Sequence, residues 1–290
     1  MAARAWAQAQ QHVGDGMIVR RTRAARPLEY GRRPWMLAVF AANFLFLYFP
    51  IVMLVAFSFN DSRRNVLWEG FTLRNYVRAY DNAALHEAFL NSMIVAGGST
   101  LVSTILGSAL GMALARFRFP GRAAYDSWLH LPIVIPEVCM GIALLAFFAL
   151  LDLPLGLMTI TASHIAFSIP FVAVVVRARM QGFDPALEEA SRDLGAGDWL
   201  TLRRVVLPFA MPGIITGALF AFTLSIDDFV ITFFTSGPGS TTLPLKIYSM
   251  VRFSVPPEMN AAASVLIAIT VALVLGGIAI QSRLDPEVRR

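Results

Sequence analysis

Apolar positions along the chain neither alternate nor form a single helical stripe; they come in long runs broken by short polar stretches. A helix needs roughly 20 consecutive, mostly apolar residues to cross a bilayer. Six segments reach that length: 36–59, 89–115, 127–151, 153–176, 205–234 and 260–282. The pattern therefore predicts an all-α integral membrane protein with six transmembrane helices. The residues before 36 and after 282 are polar and read as tails, 1–35 and 283–290. Met17 offers an alternative start to Met1, because residues 1–16 look like filler. The first 35 residues lack the apolar core of a cleavable signal peptide.

Composition agrees with the pattern: 57% of the 290 residues are apolar and 15% charged, against about 25% charged in soluble proteins. The excess apolar surface has to face lipid. The net charge of +5 rests on arginine, Lys246 being the one lysine. These arginines punctuate the apolar runs without forming a basic face, which excludes nucleic-acid binding and makes them topology signals. With both termini on one side, that side carries 18 basic residues: seven before Met36, three at 116–122, five at 177–204 and three after Ser282. The other side carries six. The positive-inside rule then puts both termini in the cytoplasm and segments 60–88 and 235–259 outside.

Ionisable groups within a span are costly and usually face a cavity or a partner. Glu137, Asp227 and Asp228 are such groups, and no arginine or lysine within the spans is there to pair with them. An incoming polycation would serve. Adjacent helical residues lie about 100° apart around the axis, so one of Asp227 and Asp228 is expected to face the pathway, the other a neighbouring helix or a backbone break. Glu137 follows Pro136, which bends a helix; a pathway role and a helix contact both fit it. Tyr248 and Trp68 are aromatic candidates for cation contact, or else interface anchors. Gly107 with Gly111, and Gly213 with Gly217, have the spacing that lets helices touch, within the chain or between subunits.

No Gly-x-x-x-x-Gly-Lys-Ser/Thr phosphate loop is present, since Lys246 sits in Pro-Leu-Lys-Ile. The four histidines are too scattered to hold zinc, and Cys139 has no partner for a disulfide. The chain is therefore expected to hold no cofactor or metal and to catalyse no reaction itself.

The largest inward loop reads Asp184-Pro185-Ala-Leu-Glu-Glu-Ala-Ser-Arg-Asp-Leu-Gly-Ala-Gly-Asp-Trp. Asp and Pro suit a helix N-terminus and the glycines a left-handed end, which predicts a short helix at 185–197. Here the sequence resembles the permeases of binding-protein-dependent type I ABC importers, whose signature is Glu-Ala-Ala, three residues, Gly, nine residues, Ile, one residue, Leu-Pro. Glu189, Ala190, Gly195, Leu207 and Pro208 agree with it; Ser191 and Val205 depart conservatively. The resemblance covers about residues 36–282. It narrows toward the second permeases of spermidine/putrescine importers through 68–73, 222–228, 243–252 and 257–261.

That resemblance implies the type I permease fold, with a core at 89–282 in the inner membrane. It implies a cytoplasmic ATPase dimer holding ATP and Mg, a second permease subunit and a periplasmic polyamine-binding protein as partners. The helix at 185–197 would dock into the ATPase through Glu188, Glu189, Ala190, Leu194, Gly195 and Ala196. The expected activity is ATP-driven polyamine import by alternating access, with Asp227, Asp228, Glu137 and Tyr248 along the pathway. A ferric-iron permease, or a stand-alone secondary cation carrier, is the alternative.

Overall fold

The computed structural model describes residues 34–62, 67–253 and 256–284. The expectations for the two tails therefore lie mostly outside it. The described chain is helical apart from one isolated antiparallel bridge, Asn60 to Phe71. Residues 34–53 form one compact unit and the chain from Leu54 onward another.

Helix α1 (Pro34–Ser58) carries a row of rings at helical spacing, Phe40 tilted against Phe44 and Phe44 stacked on Tyr48. After it the chain turns through a polar clamp. Buried Asn75, on α2 (Arg74–Asp81), donates to the carbonyls of Ser58 (3.0 Å) and Asn60 (2.8 Å), and Asn60 donates to the carbonyl of Leu67 (2.7 Å). These bonds satisfy backbone groups that an irregular segment would otherwise leave open. Asn82 caps the next helix, accepting from the N–H groups of Ala84 and Leu85. That cap is why α3 (Ala83–Arg116) begins six residues before the apolar run at Phe89.

The third predicted span is two helices, α4 (Arg122–Val134) and α5 (Glu137–Leu150), meeting at 108°. Pro136 cannot donate to the ladder and holds Ile135 extended. Helix α6 (Leu157–Met180) follows, then the short α7 (Ala186–Asp193) and α8 (Asp198–Thr201). A π-helical turn at Leu202–Val206 leads into α9 (Leu207–Ile226). Pro208 cannot bond to the carbonyl four residues back, and the wider turn makes room for its ring. The chain ends with α10 (Val230–Thr235), α11 (Leu243–Phe253) and α12 (Pro257–Leu284). Five continuous stretches among the described residues are long and apolar enough to cross a membrane, six if the bent pair is one span.

Helices α3, α6 and α9 form the centre. Lipid offers no hydrophobic drive between helices, so close approach of small residues has to supply the attraction. A Cβ at Gly107 would lie 2.7 Å from Val172 Cβ, and one at Gly111 2.6 Å from the Ala173 carbonyl oxygen. Gly217 meets Val172 and Gly213 meets Arg179 in the same way. All four glycines thus serve packing inside this chain, which decides between the two readings left open by their spacing. Val172, Val176, Met180, Val206, Ala210 and Ala221 fill the adjacent core.

Because the obstacle at Gly111 is backbone, Gly111→Val is expected to destabilise by about 1–3 kcal/mol, the usual cost of overpacking, read as a lower unfolding midpoint in detergent. The same change at Gly97, which faces nothing within 4 Å, should leave the midpoint near wild type.

Candidate functional site

The fifth predicted span does not run through. It stops at Ile226, passes Asp227, Asp228 and Phe229 out of helix, and restarts at Val230. Breaking a helix inside a membrane frees backbone groups that need new partners. Asp228 supplies them: its carboxylate accepts from the N–H of Ile231 (3.3 Å) and of Thr232 (2.8 Å). Its Oδ2 also accepts from the Thr232 hydroxyl (2.8 Å) and lies 3.2 Å from His164 Nε2.

His164 extends this contact into a network across four helices. Its Nδ1 sits 2.6 Å from Ser225 Oγ, its Nε2 3.1 Å from Thr232 Oγ1, and Ser225 Oγ 3.0 Å from Ser99 Oγ. With Nε2 protonated, His164 donates toward Asp228 and accepts the Ser225 hydroxyl, and Ser99 donates to Ser225. The Asp228 and His164 side chains are 6% and 2% exposed, so each needs the other. This corrects the expectation that the membrane carboxylates find no partner within the chain. The partner of Asp228 is neither arginine nor lysine but the histidine on α6.

Asp227 has a different environment. It is exposed, and among the described residues its carboxylate accepts no hydrogen bond from another residue. Asp228 and Glu137 both lie within Coulombic reach of it. Glu137 comes there because α10 packs on α5, with Phe234 filling the space beside Gly141, one turn on from Glu137. A charge cannot face lipid at low cost, so this surface suits a polar cavity or a partner subunit. Tyr248, half exposed, packs at a tilt on Phe229 with ring centres 4.5 Å apart, and Phe229 meets Phe233 at 5.7 Å. Asp227, Glu137 and Tyr248 thus gather around one break, while Asp228 turns inward.

Sequence reasoning missed His164, Ser225 and Thr232 as a unit. Ser225 and Thr232 flank the acids three residues before and four after Asp228, the spacing of a helix turn, and that was the available signal. Trp68 is on the 58–76 clamp, edge-on to Phe57.

The second predicted site is α7. Asp184 Oδ1 accepts the Ala186 N–H (2.9 Å), Gly195 takes the left-handed conformation (φ +83°), and the Ala196 N–H returns to the Ser191 carbonyl (3.1 Å). These are the start and stop that the sequence implies. Glu189 and Ala190 are exposed, as is Leu194, 89% open. Ala190, Leu194, Gly195 and Ala196 line a shallow groove of about 440 Å³ with Leu187 and Leu200. Glu188 departs from this set: it turns inward to Arg116 at 2.5 Å.

Residues 103–290 match the family described as binding-protein-dependent transport system inner membrane component. The chain belongs to this family. Such permeases are multi-pass inner-membrane components of transport systems, not enzymes in themselves. The chain is 41% identical over 244 residues to the spermidine/putrescine transport system permease protein PotC of Escherichia coli (strain K12), covering 84% of this chain and 91% of that one. It is 39% identical to the putrescine transport system permease protein PotI of the same strain, over 81% and 86%. A bacterial alginate ABC transporter in complex with its pentasaccharide-bound periplasmic protein shares the fold, with a TM-score of 0.64 at 16% identity, over 89% of this chain and 98% of that one. The fold is that of ABC importer permeases.

Leaving a buried carboxylate without one of its hydrogen-bond donors costs about 1–3 kcal/mol or more. His164→Leu is therefore expected to lower the unfolding midpoint in detergent well below that of the neighbouring exchange Ala166→Leu; equal midpoints would contradict the network.

Proposed function

We propose that the chain is a permease subunit of an ATP-driven importer that moves spermidine and putrescine across the inner membrane by alternating access. The single observation that carries the cargo class is the exposed Asp227, with Glu137 within Coulombic reach and, among the described residues, no lysine or arginine on its carboxylate. A polyamine supplies separated ammonium groups to such acids and methylene stems to the Phe229, Phe233 and Tyr248 rings beside them. Cation–π contact in a desolvated site adds about 2 kcal/mol. The names of the two relatives support the same cargo. Ferric iron would use the carboxylates but gain little from the aromatic row, which favours an organic cation.

In this reading the machine needs a second permease, a cytoplasmic ATPase dimer and a periplasmic polyamine-binding protein. ATP and Mg²⁺ act in the ATPase. Helix α7 and the turn after it seat on it through Glu189, Ala190, Leu194, Gly195 and Ala196, where the open face and the small Ala190, Gly195 and Ala196 permit close approach. The arginine bias puts α7 and both termini in the cytoplasm. Asp227, Glu137 and Tyr248 line the route, and Asp228 holds the break that presents them.

Asp227→Asn is expected to cut polyamine uptake at least about tenfold, the effect of losing roughly 1.4 kcal/mol of interaction, with the complex still co-purifying. Asp228→Asn is expected to lower the amount of assembled complex. Uptake unchanged in the Asp227 variant would remove that acid from the route. Separately, Glu189→Ala should reduce the stimulation of ATP hydrolysis by the binding protein in the assembled complex, and undiminished stimulation would count against the seating of α7.

A further inference from the structure

Among the described residues, helix α3 reaches the segment before α11, the broken span and α7. Its 34 residues make a rod of about 51 Å at 1.5 Å per residue. Near its start, Asn91 Nδ2 donates to the carbonyls of Gly239 (3.3 Å) and Thr241 (3.0 Å), and Ser92 Oγ accepts the Leu243 N–H (2.8 Å). Those bonds hold the segment that leads into α11, which carries Tyr248. Midway, Ser99 reaches Ser225 and so the broken span. Gly107 and Gly111 press α3 against the backbone of α6, leaving no slack between the two. At its last residue Arg116 meets Glu188 of α7.

The surroundings of that last contact are open. No residue of α7 is buried, and α7 packs on α8 and the π-helical turn. Between α7 and the end of α3 lies a cavity of about 650 Å³ lined by Met112, Arg116, Phe183, Glu188 and Arg192 among others. A displacement of α7 is therefore not passed to α3 by a close-packed interface. The charge-assisted bond spans the gap at 2.5 Å, its side chains 18% and 16% exposed, which limits screening.

We propose that the Arg116–Glu188 ion pair is the joint that makes α3 a lever, carrying displacement of α7 to the broken span and to the segment before α11. The joint rests on the reading of α7 as the ATPase-seating helix. Glu188 then acts on this chain's own span, whereas Glu189, next to it and exposed, faces outward. Arg116 and Glu188 are positioning residues: they touch neither substrate nor nucleotide.

The test is the ratio of spermidine accumulated to ATP hydrolysed, in proteoliposomes holding the whole complex with its binding protein. Arg116→Glu and Glu188→Arg should each lower the ratio about fivefold, the small end of ordinary coupling energies. The paired exchange should regain most of it, a recovery that a purely structural loss would not give. Single variants at the wild-type ratio, or a paired exchange as poor as the singles, would overturn the joint. If a reversal variant does not co-purify with its partners, Arg116→Gln and Glu188→Gln replace it, with an expected loss of about threefold; a wild-type ratio there overturns the joint equally. A wild-type complex whose ATP hydrolysis ignores the binding protein would instead bring down the reading of α7, and the joint with it.

Discussion

The break in the membrane core hangs on one carboxylate, Asp228. A helix cannot unwind in a bilayer unless its freed N–H and C=O groups find partners, and Asp228 provides for the restart of α10 while His164 donates to its carboxylate. Without that arrangement, the three non-helical residues at 227–229 would be a defect. With it, they become a fixed kink that turns the neighbouring Asp227 outward. The two adjacent acids thus have opposite roles: one is consumed by the fold, the other is left for something the fold does not contain.

Close backbone contact gives that kink a rigid frame. Gly107 and Gly111 on α3 and Gly217 on α9 converge on the stretch 169–173 of α6, so three long helices share one seam, and the polar network of Ser99, His164 and Ser225 bridges the same three elements. The surface helices differ in kind. The α7 end is held by hydrogen bonds and ion pairs at the margin of an open cavity, which suits an element meant to be moved by a partner.

The spans were legible because the bilayer imposes a length that composition alone reveals. The coupling helix was legible because its caps, Asp184 and Gly195, are local in sequence. The break after Ile226 was only half legible: two consecutive acids signal an exception, yet which one is buried depends on His164, 64 residues earlier in the chain and brought there by the α6–α9 packing. The bend at Pro136 could be read in kind but not in size, since 108° reflects Ile135 and the whole of α5 leaning on α10. Glu188 and Glu189 look alike in the sequence. The end of a helix 72 residues away separates them, through Arg116.

The central claim is that this permease carries polyamines, and uptake measures it most directly. Cells lacking the chain would be given labelled spermidine, putrescine and ferric iron in separate assays, with and without its re-expression beside its native partners. The account requires that re-expression restore entry of one or both polyamines and leave iron uptake unchanged. Restored iron entry, or no polyamine entry from a complex shown to assemble, would contradict it.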